Sequence, residues 1–357
     1  MYRIVVTNLP AEARAQWKRV IEAKTPEQKL EELRKFYSLI PKHKGTKNLV
    51  RNVRTQMARL REEIEERKRR KTGGYLSPWN IPRSGDIRTI FIANDYLILK
   101  EFLDTTFGIQ EKYNLWKLLP THYNKIIGDI EIEFIVTPPL NIQESIDHKI
   151  IGLFPSADYI IVIGKDKEAL RDIRLKLIEY GVELVRTPIK IKITKTPSGG
   201  IRINNVDPRF IKTIKDQLRN YKIYNAIVYI EGELPIDLFE EIFLGLKRFY
   251  RGGYYLWKDS CLVDIETGKK FSYMDLGSLL IQKVDLIRVY AVRDFKQKIE
   301  RPIILKRGDR ILDLADKIHT SIRKNLKYAL VKRGNKIIRV SGSFKLEDLD
   351  IVSLRTK

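Results

Sequence analysis

The 357-residue chain contains one cysteine, Cys261, and only four histidines. A single cysteine excludes an intramolecular disulfide framework and a multi-cysteine metal cluster. The histidines lie at His43, His122, His148 and His319, and none of their spacings matches HxxxH or HExxH. We therefore predict no metal site.

Long apolar runs are also missing, since none approaches the roughly 18 residues that a bilayer-spanning helix needs. The first residues, MYRIVVTNLPAEARAQWKR, are charged and do not form the pattern of a signal peptide. We expect a cytoplasmic protein that has no membrane partner and is a monomer when free.

Charge of one sign is abundant. Sixty-eight Lys and Arg residues oppose 45 Asp and Glu residues, which gives a formal net charge of +23 at pH 7. Such a field favours a polyanionic partner, above all nucleic acid. The alternative is a charge-rich surface that serves solubility or thermal stability. The length predicts two or three domains, and the 43% hydrophobic content is typical of a globular protein.

Residues 1–74 form a predicted helical region. Thr25 is a helix N-cap followed by Pro26 at the first helical position. Further on, NLVRNVRTQMARLREEIEERKRRK places Val50, Val53, Met57, Leu60 and Ile64 at alternating spacings of three and four. This apolar seam predicts an antiparallel helical hairpin, whose remaining faces are strongly basic. A charged face is often only solvated, and contact with RNA is the alternative.

Residues 84–284 alternate apolar strands with helices, which predicts an α/β domain with a mostly parallel sheet. The segment IKIKITKTPSGGIRIN alternates with period two around Pro-Ser-Gly-Gly. It predicts a β-hairpin inserted at about 188–205. In RGGYYLWKDSCLVD we predict a core strand with a tight turn at Gly252–Gly253, with a base-stacking surface as the alternative. Residues 285–357 show two strands, a helix and further strands, an order typical of a β-grasp domain.

The segment after the predicted strand Thr89–Ile92 has the frame of a phosphate site without its chemistry. Strand, tight connection and helix follow one another, an arrangement that in many α/β proteins holds a phosphate at the helix N-terminus. Here the connection is Ala93-Asn94-Asp95, which contains no glycine and carries a negative charge.

Several strings resemble the Drg branch of the Obg-type GTPases, in the order that the family has. IPKHKGTKNLVRNVRTQMARLREEI is similar to the family's helical hairpin, and SGDIR, at Ser84–Arg88, to the segment that leads into its first GTPase strand. LIEYGVELVRTPIKIKITKTPSGGIRIN is similar to a Drg-type insertion, and KIHTSIRKNLKYALVKRGNK to the helix and strand of the family's TGS domain. The resemblance covers nearly the whole chain. It implies a P-loop-GTPase-like domain between a helical hairpin and a β-grasp TGS domain, a module associated with RNA and the ribosome.

The resemblance also locates the phosphate-binding motif GxxxxGK[ST]. It places Ala93 and Ile98 on the two glycines, Leu99 on the lysine and Lys100 on the magnesium-binding hydroxyl. Asn94 and Asp95 lie between, and the carboxylate would repel a triphosphate. A shifted register would make Lys100 the lysine, but Leu99 would then replace the glycine before it.

The other family motifs are altered as well. The aspartate-x-proline-glycine motif falls on 136–139, where Val136 replaces the carboxylate and Pro139 replaces the glycine whose N–H would meet the γ-phosphate. The first switch region falls on Trp116–Leu119. The guanine-reading NKxD motif is placed after the predicted strand Ala226–Ile230, on Glu231–Leu234. The sequence therefore favours a pseudo-GTPase without enzymatic activity and without a cofactor, and an active GTPase remains the alternative.

The predicted function is that of an RNA- or ribosome-associated, translation-related factor, and the ribosome or structured RNA is the predicted partner. Two alternatives remain. One is a divergent GTP-binding switch, which would use GTP and Mg²⁺, and the other is an interaction scaffold with a protein partner of the Drg-regulatory kind. Under the leading hypothesis the phosphate contacts come from Lys42, Lys44, Arg51, Arg54, Arg67, Lys68, Arg69, Arg70 and Lys71 of the hairpin and from Arg288, Arg323, Lys324, Lys327, Lys332 and Arg333 of the TGS domain.

Overall fold

The computed structural model describes residues 9–43, 46–71, 77–108, 118–140, 143–272, 274–296 and 301–356. The helices are α1 (Ala11–Glu22), α2 (Pro26–Leu39), α3 (Lys47–Lys71), α4 (Tyr96–Phe107), α5 (Glu144–Leu153), α6 (Lys167–Glu179), α7 (Ile211–Asn220), α8 (Phe239–Phe243), α9 (Leu276–Val284), α10 (Ile311–Ile318) and α11 (Thr320–Asn325). The first nine strands are β1 (Ile87–Ile92), β2 (Thr121–Ile127), β3 (Ile130–Val136), β4 (Tyr159–Gly164), β5 (Val182–Val185), β6 (Lys190–Lys195), β7 (Ile201–Asn204), β8 (Ala226–Glu231) and β9 (Arg248–Lys258). The others are β10 (Cys261–Asp264), β11 (Lys270–Phe271), β12 (Leu286–Ala291), β13 (Ile303–Lys306), β14 (Leu326–Arg333), β15 (Lys336–Val340) and β16 (Asp350–Thr356). Within the described residues, no helix combines the length and apolar character needed to cross a membrane.

The largest sheet has eight strands and is parallel at its centre. Its order is β11-β10-β9-β4-β1-β3-β2, with β5 pairing with β9. β1 runs parallel to both β3 and β4, and β9 runs parallel to β4 and β5. β1 and β4 are buried along their whole length, as expected for central strands of a sheet whose two faces are covered by helices. This sheet is the mostly parallel GTPase-like sheet that the sequence predicts.

Strand β9 contains the Gly252–Gly253 pair, and the turn predicted there is wrong. The strand is continuous through both glycines. A Cβ on Gly252 would lie 2.6 Å from the carbonyl oxygen of Ile160 on the neighbouring strand, so the glycine permits close backbone approach. The tight turn lies instead at Asp259–Ser260, where both residues have positive φ, before β10 runs back antiparallel to β9.

A second sheet has three strands in the order β6-β8-β7. The predicted hairpin between β6 and β7 is therefore wrong, because β8 lies between them and pairs antiparallel with β6 and parallel with β7. One face of this sheet shares a hydrophobic core with the N-terminal helices, through residues such as Trp17, Phe36, Val53, Val228 and Ile230. The helical region and the insertion thus share one hydrophobic core, although the sequence prediction assigns them to two different domains.

The C-terminal sheet has the order β13-β12-β16-β14-β15, with β12 and β16 parallel and the other pairs antiparallel. Helix α10 packs its buried residues Ile311, Leu314 and Ala315 against the sheet's apolar residues. This mixed sheet with a helix across it is the β-grasp arrangement that the sequence predicts. It joins the large sheet through Arg288, whose guanidinium pairs with Asp129 at 3.5 Å.

A buried ion pair links two central strands at the start of β1. Arg88 and Glu133 lie opposite each other on β1 and β3, with side-chain exposures of 4% and 0%. The guanidinium donates two hydrogen bonds to the carboxylate, at 2.9 and 3.0 Å. Such a paired geometry offsets the desolvation of both charges, whereas either charge alone would be strongly unfavourable here.

We expect Arg88→Met to lower the free energy of unfolding by about 3 to 5 kcal/mol, because it leaves the Glu133 carboxylate buried without its partner. The double variant Arg88→Met/Glu133→Leu should recover most of this loss, since it removes both charges. Urea denaturation followed by circular dichroism measures both values. The exposed pair Arg323–Asp316 supplies the matched control, and Arg323→Met should cost less than about 1 kcal/mol. A loss in Arg88→Met as small as in that control would contradict the prediction.

Candidate functional site

The connection between β1 and α4 consists of three residues, Ala93, Asn94 and Asp95. Asp95 is the N-cap of α4, and its carboxylate accepts a hydrogen bond of 2.9 Å from the backbone N–H of Leu97. The acidic side chain also complements the partial positive charge of the helix N-terminus. The Asp95 carboxylate thus occupies the N–H of Leu97, a backbone donor that could otherwise bind a phosphate.

The first turn of α4 packs into the core of the large sheet. Ile98 and Leu99 are buried there, whereas Leu97 and Lys100 are exposed. Leu99, which the family resemblance aligns with the phosphate-binding lysine, therefore has a packing role. The Oδ1 of Asn94 is buried and accepts no hydrogen bond among the described residues, and an unpaired acceptor does not attract a phosphate oxygen.

The end of β3 closes directly onto the end of β1. The backbone N–H and the hydroxyl of Thr137 both donate to the carbonyl of Phe91, at 3.2 and 3.1 Å. The N–H of Leu140 donates to the carbonyl of Ala93 at 3.0 Å. Pro138 and Pro139, which lie between, are buried. These bonds bring the two segments together where a GTPase would hold its phosphates and magnesium.

The residues at this position do not fit a magnesium–triphosphate. Such a ligand needs a lysine, a magnesium-binding hydroxyl and free backbone N–H groups. Here Leu99 is buried and Lys100 follows it, Val136 supplies no carboxylate and Pro139 supplies no N–H donor. Of the first switch region, predicted at Trp116–Leu119, the positions 116 and 117 lie outside the described residues, and Leu118 and Leu119 are exposed.

The guanine-reading position predicted at Glu231–Leu234 is wrong, because β8 belongs to the second sheet and not to the parallel sheet that carries β1. Gly232, Glu233 and Leu234 instead line a cleft of about 450 Å³ at the end of β7 and β8. Asp207 also lines this cleft and is paired with Arg209. Two carboxylates make the cleft unsuited to a phosphate.

In the observed sheet order, the position that corresponds to the guanine-reading NKxD motif is the end of β9, the parallel neighbour of β4. The chain there reads Trp257-Lys258-Asp259-Ser260. Aligned with NKxD, Lys258 matches the lysine, whereas Trp257 replaces the asparagine and Ser260 replaces the aspartate. The indole N–H of Trp257 donates to Glu101 of α4 at 3.0 Å, and its ring meets Phe102 edge-on with centroids 5.1 Å apart. Side chains of the protein itself therefore pack around this position. The single matching lysine was the only sequence signal for it.

Nearby, two tyrosines complete the packing between β4 and β9. The hydroxyls of Tyr159 and Tyr255 are hydrogen-bonded at 2.9 Å in the core. Burial raises the pKa of the Tyr159 hydroxyl to about 12 and raises that of Tyr255 further. Both hydroxyls therefore stay neutral at physiological pH and have a structural role.

Three of the predicted RNA-binding cations each pair with two carboxylates of the chain. Arg51 pairs with Glu144 at 3.3 Å and with Glu179 at 3.7 Å, which ties α3 to α5 and α6. Arg288 pairs with Asp129 and Asp348, and Arg333 pairs with Asp350 and Glu347. Hydrogen bonding to Asp348 raises the pKa of Arg288 further above its usual range. These three side chains have clear structural roles.

The remaining predicted cations divide into exposed, half-buried and undescribed groups. Exposed side chains are Lys42, Arg54, Arg67, Arg323, Lys324 and Lys327, and Lys332 is half-buried. Arg54, Arg67 and Arg323 also contact Tyr37, Glu63 and Asp316 at the surface. Lys44 lies outside the described residues, and so do the side chains of Lys68, Arg69, Arg70 and Lys71, whose backbone continues α3.

The fold and the altered site together define a class of protein, a GTPase-like α/β domain with a C-terminal β-grasp domain. Residues 287–356 match the model of the TGS domain. The chain is 22% identical to GTP-binding protein 1 of Schizosaccharomyces pombe, over 92% of this chain and 99% of that protein. It is 24% identical to developmentally-regulated G-protein 1 of Arabidopsis thaliana, over 92% of this chain and 91% of that protein. The superposition on a solved structure of the S. pombe YchF GTPase covers 77% of this chain and 99% of the YchF chain, with 8% sequence identity and a TM-score of 0.44. In sequence, the chain is therefore similar along most of its length to GTP-binding proteins of the Obg/Drg type, and residues 287–356 carry the TGS domain.

If Asp95 serves the helix and no ligand, its removal should act on stability. We expect Asp95→Ala to lower the free energy of unfolding by about 1 kcal/mol, because it removes the cap of α4. Asp95→Asn keeps an oxygen acceptor and should stay within a few tenths of a kcal/mol of the parent. Urea denaturation of the two variants measures the difference, and equal stabilities would refute the capping role.

Proposed function

We propose that this chain is an RNA- or ribosome-associated factor that keeps the body of an Obg/Drg-type GTPase but does not bind or hydrolyse GTP. The observation that carries the second half of the proposal is the direct closure of β3 onto β1, through the bonds from Thr137 and Leu140 to Phe91 and Ala93. A nucleotide bound here would lose the hydration of its phosphates against buried apolar side chains, with no cationic group gained in return.

The RNA half of the proposal is supported by charge and its placement. The net charge of +23 favours association with a polyanion. The exposed cations Lys42 and Arg67 belong to the helical unit, and Lys324 and Lys327 belong to the TGS domain. Contacts from two separate units suit a large folded RNA, which proteins recognise mainly by shape and backbone.

A GTP-binding switch is the second candidate, and the names of the relatives favour it. Proteins of S. pombe and Methanocaldococcus jannaschii that align with 92% of this chain are named GTP-binding proteins. At 22% and 23% identity they can differ from this chain at the residues that touch the nucleotide.

Nucleotide binding separates the two candidates directly. Isothermal titration of the full chain with GTP, GDP and ATP in Mg²⁺ should give no binding heat, and a thermal denaturation series should show no shift, because a ligand that binds the native state would raise the melting temperature. The S. pombe relative serves as a positive control. Micromolar binding of any of the three nucleotides to this chain would favour the switch and overturn the proposal.

Ribosome association should depend strongly on salt, because each phosphate contact that forms releases condensed counterions from the RNA. We expect co-sedimentation with ribosomes at about 50 mM salt to be largely lost at about 200 mM. Lys324→Ala/Lys327→Ala should weaken it and reduce the salt slope by about two, one for each phosphate contact removed. Lys167→Ala/Lys165→Ala, a matched pair of exposed lysines at the start of α6, should leave it unchanged. Absence of co-sedimentation at low salt, or association insensitive to salt, would contradict the proposal.

A further inference from the structure

The second sheet has one face packed against helices and one face open. Burial alternates strictly along β6, β7 and β8, so every second side chain points away from the shared core. The outward side chains are Lys190, Lys192 and Thr194 on β6, Ile227, Tyr229 and Glu231 on β8, and Arg202 and Asn204 on β7, and all of them are exposed. We call these eight residues the open face. None of the residues that the structure describes covers it.

The register places an aromatic side chain at the centre of the open face with polar groups on both sides. Tyr229 lies directly opposite Lys192 on one neighbouring strand and Asn204 on the other. In the next row Ile227 lies between Thr194 and Arg202. Tyr229 is 48% exposed although it sits on the central strand. The helical core uses only the opposite side of the sheet, so packing does not account for an aromatic side chain here.

The cations of the open face are available. In the described part of the chain, Lys190, Lys192 and Arg202 take part in no ion pair, unlike the arginines at positions 51, 288 and 333. The one carboxylate is Glu231, at the end of the face and opposite Lys190 in the register. The centre and the other end are therefore cationic. Adjacent strands are about 4.8 Å apart, so Lys192 can reach a phosphate next to a base that lies on Tyr229.

From this placement we propose that the open face binds single-stranded RNA, with a base stacked on Tyr229 and the backbone held by Lys192 and Arg202. An exposed aromatic ring flanked by cations stacks a base of any sequence. The bases of a duplex are already stacked within the helix, so an intact duplex cannot use Tyr229. The proposal rests on the proposed function only in the choice of RNA as the polyanion, and it adds a site within the insertion to the hairpin and TGS cations.

The test uses the full chain and a fluorescently labelled single-stranded RNA of about 12 nucleotides, a length within the range of known single-strand sites. Fluorescence anisotropy should show binding to this RNA at low salt. Tyr229→Thr, which keeps a strand-forming residue, should weaken binding about tenfold, whereas Tyr229→Phe, which keeps the ring, should bind like the parent. Lys192→Ala/Arg202→Ala should weaken binding and reduce its salt slope by about two.

Lys212→Ala/Lys215→Ala is the matched control, because both lysines lie on α7 and outside the open face. Its binding should equal that of the parent. Ultraviolet cross-linking followed by mass spectrometry gives an independent readout and should attach the RNA to the peptide that contains Tyr229. Equal affinities of Tyr229→Thr and Tyr229→Phe, or a cross-link confined to other segments, would overturn the proposal.

Failure of this proposal is distinguishable from failure of the proposed function. A parent protein that sediments with ribosomes but ignores the single-stranded RNA overturns the open-face site alone. A protein that binds neither overturns both. A protein partner that resists nuclease and is lost in Tyr229→Thr also overturns the RNA site, because the open face would then dock a protein.

Discussion

The hydrogen bonds that join the end of β3 to the end of β1 are the constraint on which the central domain depends. Thr137 and Leu140 donate to Phe91 and Ala93, the carbonyls beside which a GTPase holds its phosphates. With the two segments bonded to each other, the core can extend through Leu99 and Val136 to the edge of the sheet. The helix end beyond needs no anion, because Asp95 caps it from within.

This packing changes what the rest of the molecule can do. In a GTPase switch, contacts with the γ-phosphate and Mg²⁺ order two loops, and hydrolysis releases these loops. In this chain the ends of β1 and β3 are joined to each other by hydrogen bonds of the chain itself. Arg51 and Arg288 connect the helical unit and the TGS domain to the central domain through ion pairs with Glu144 and Asp129. Cationic surfaces on separate units are thereby presented together, which suits a factor that binds one large polyanion.

An arginine in a basic segment is not necessarily available to bind a partner. Arg51, Arg288 and Arg333 belong to basic segments, but each is held by two carboxylates from distant parts of the chain. By contrast, Lys192 and Arg202 lie on two short alternating strands, and in the sequence they do not form a basic cluster. Only the insertion of β8 between their strands brings them to either side of Ile227 and Tyr229. Which cations are free is decided by long-range neighbours.

The sequence by itself determined the alternation of strands and helices, the β-grasp order of the last domain and which residue types stand at Ala93–Lys100 and Val136–Pro139. These features are local: periodicity reports burial, and a glycine, lysine or carboxylate is either present at its position or not. Only the tertiary structure decided that β8 separates β6 from β7, that the insertion shares its core with the N-terminal helices, and that the guanine-reading position falls on Trp257 and not on Glu231. Alternation shows which face of a strand is buried, but it does not name the neighbouring strand, because pairing depends on contacts between residues far apart in the chain.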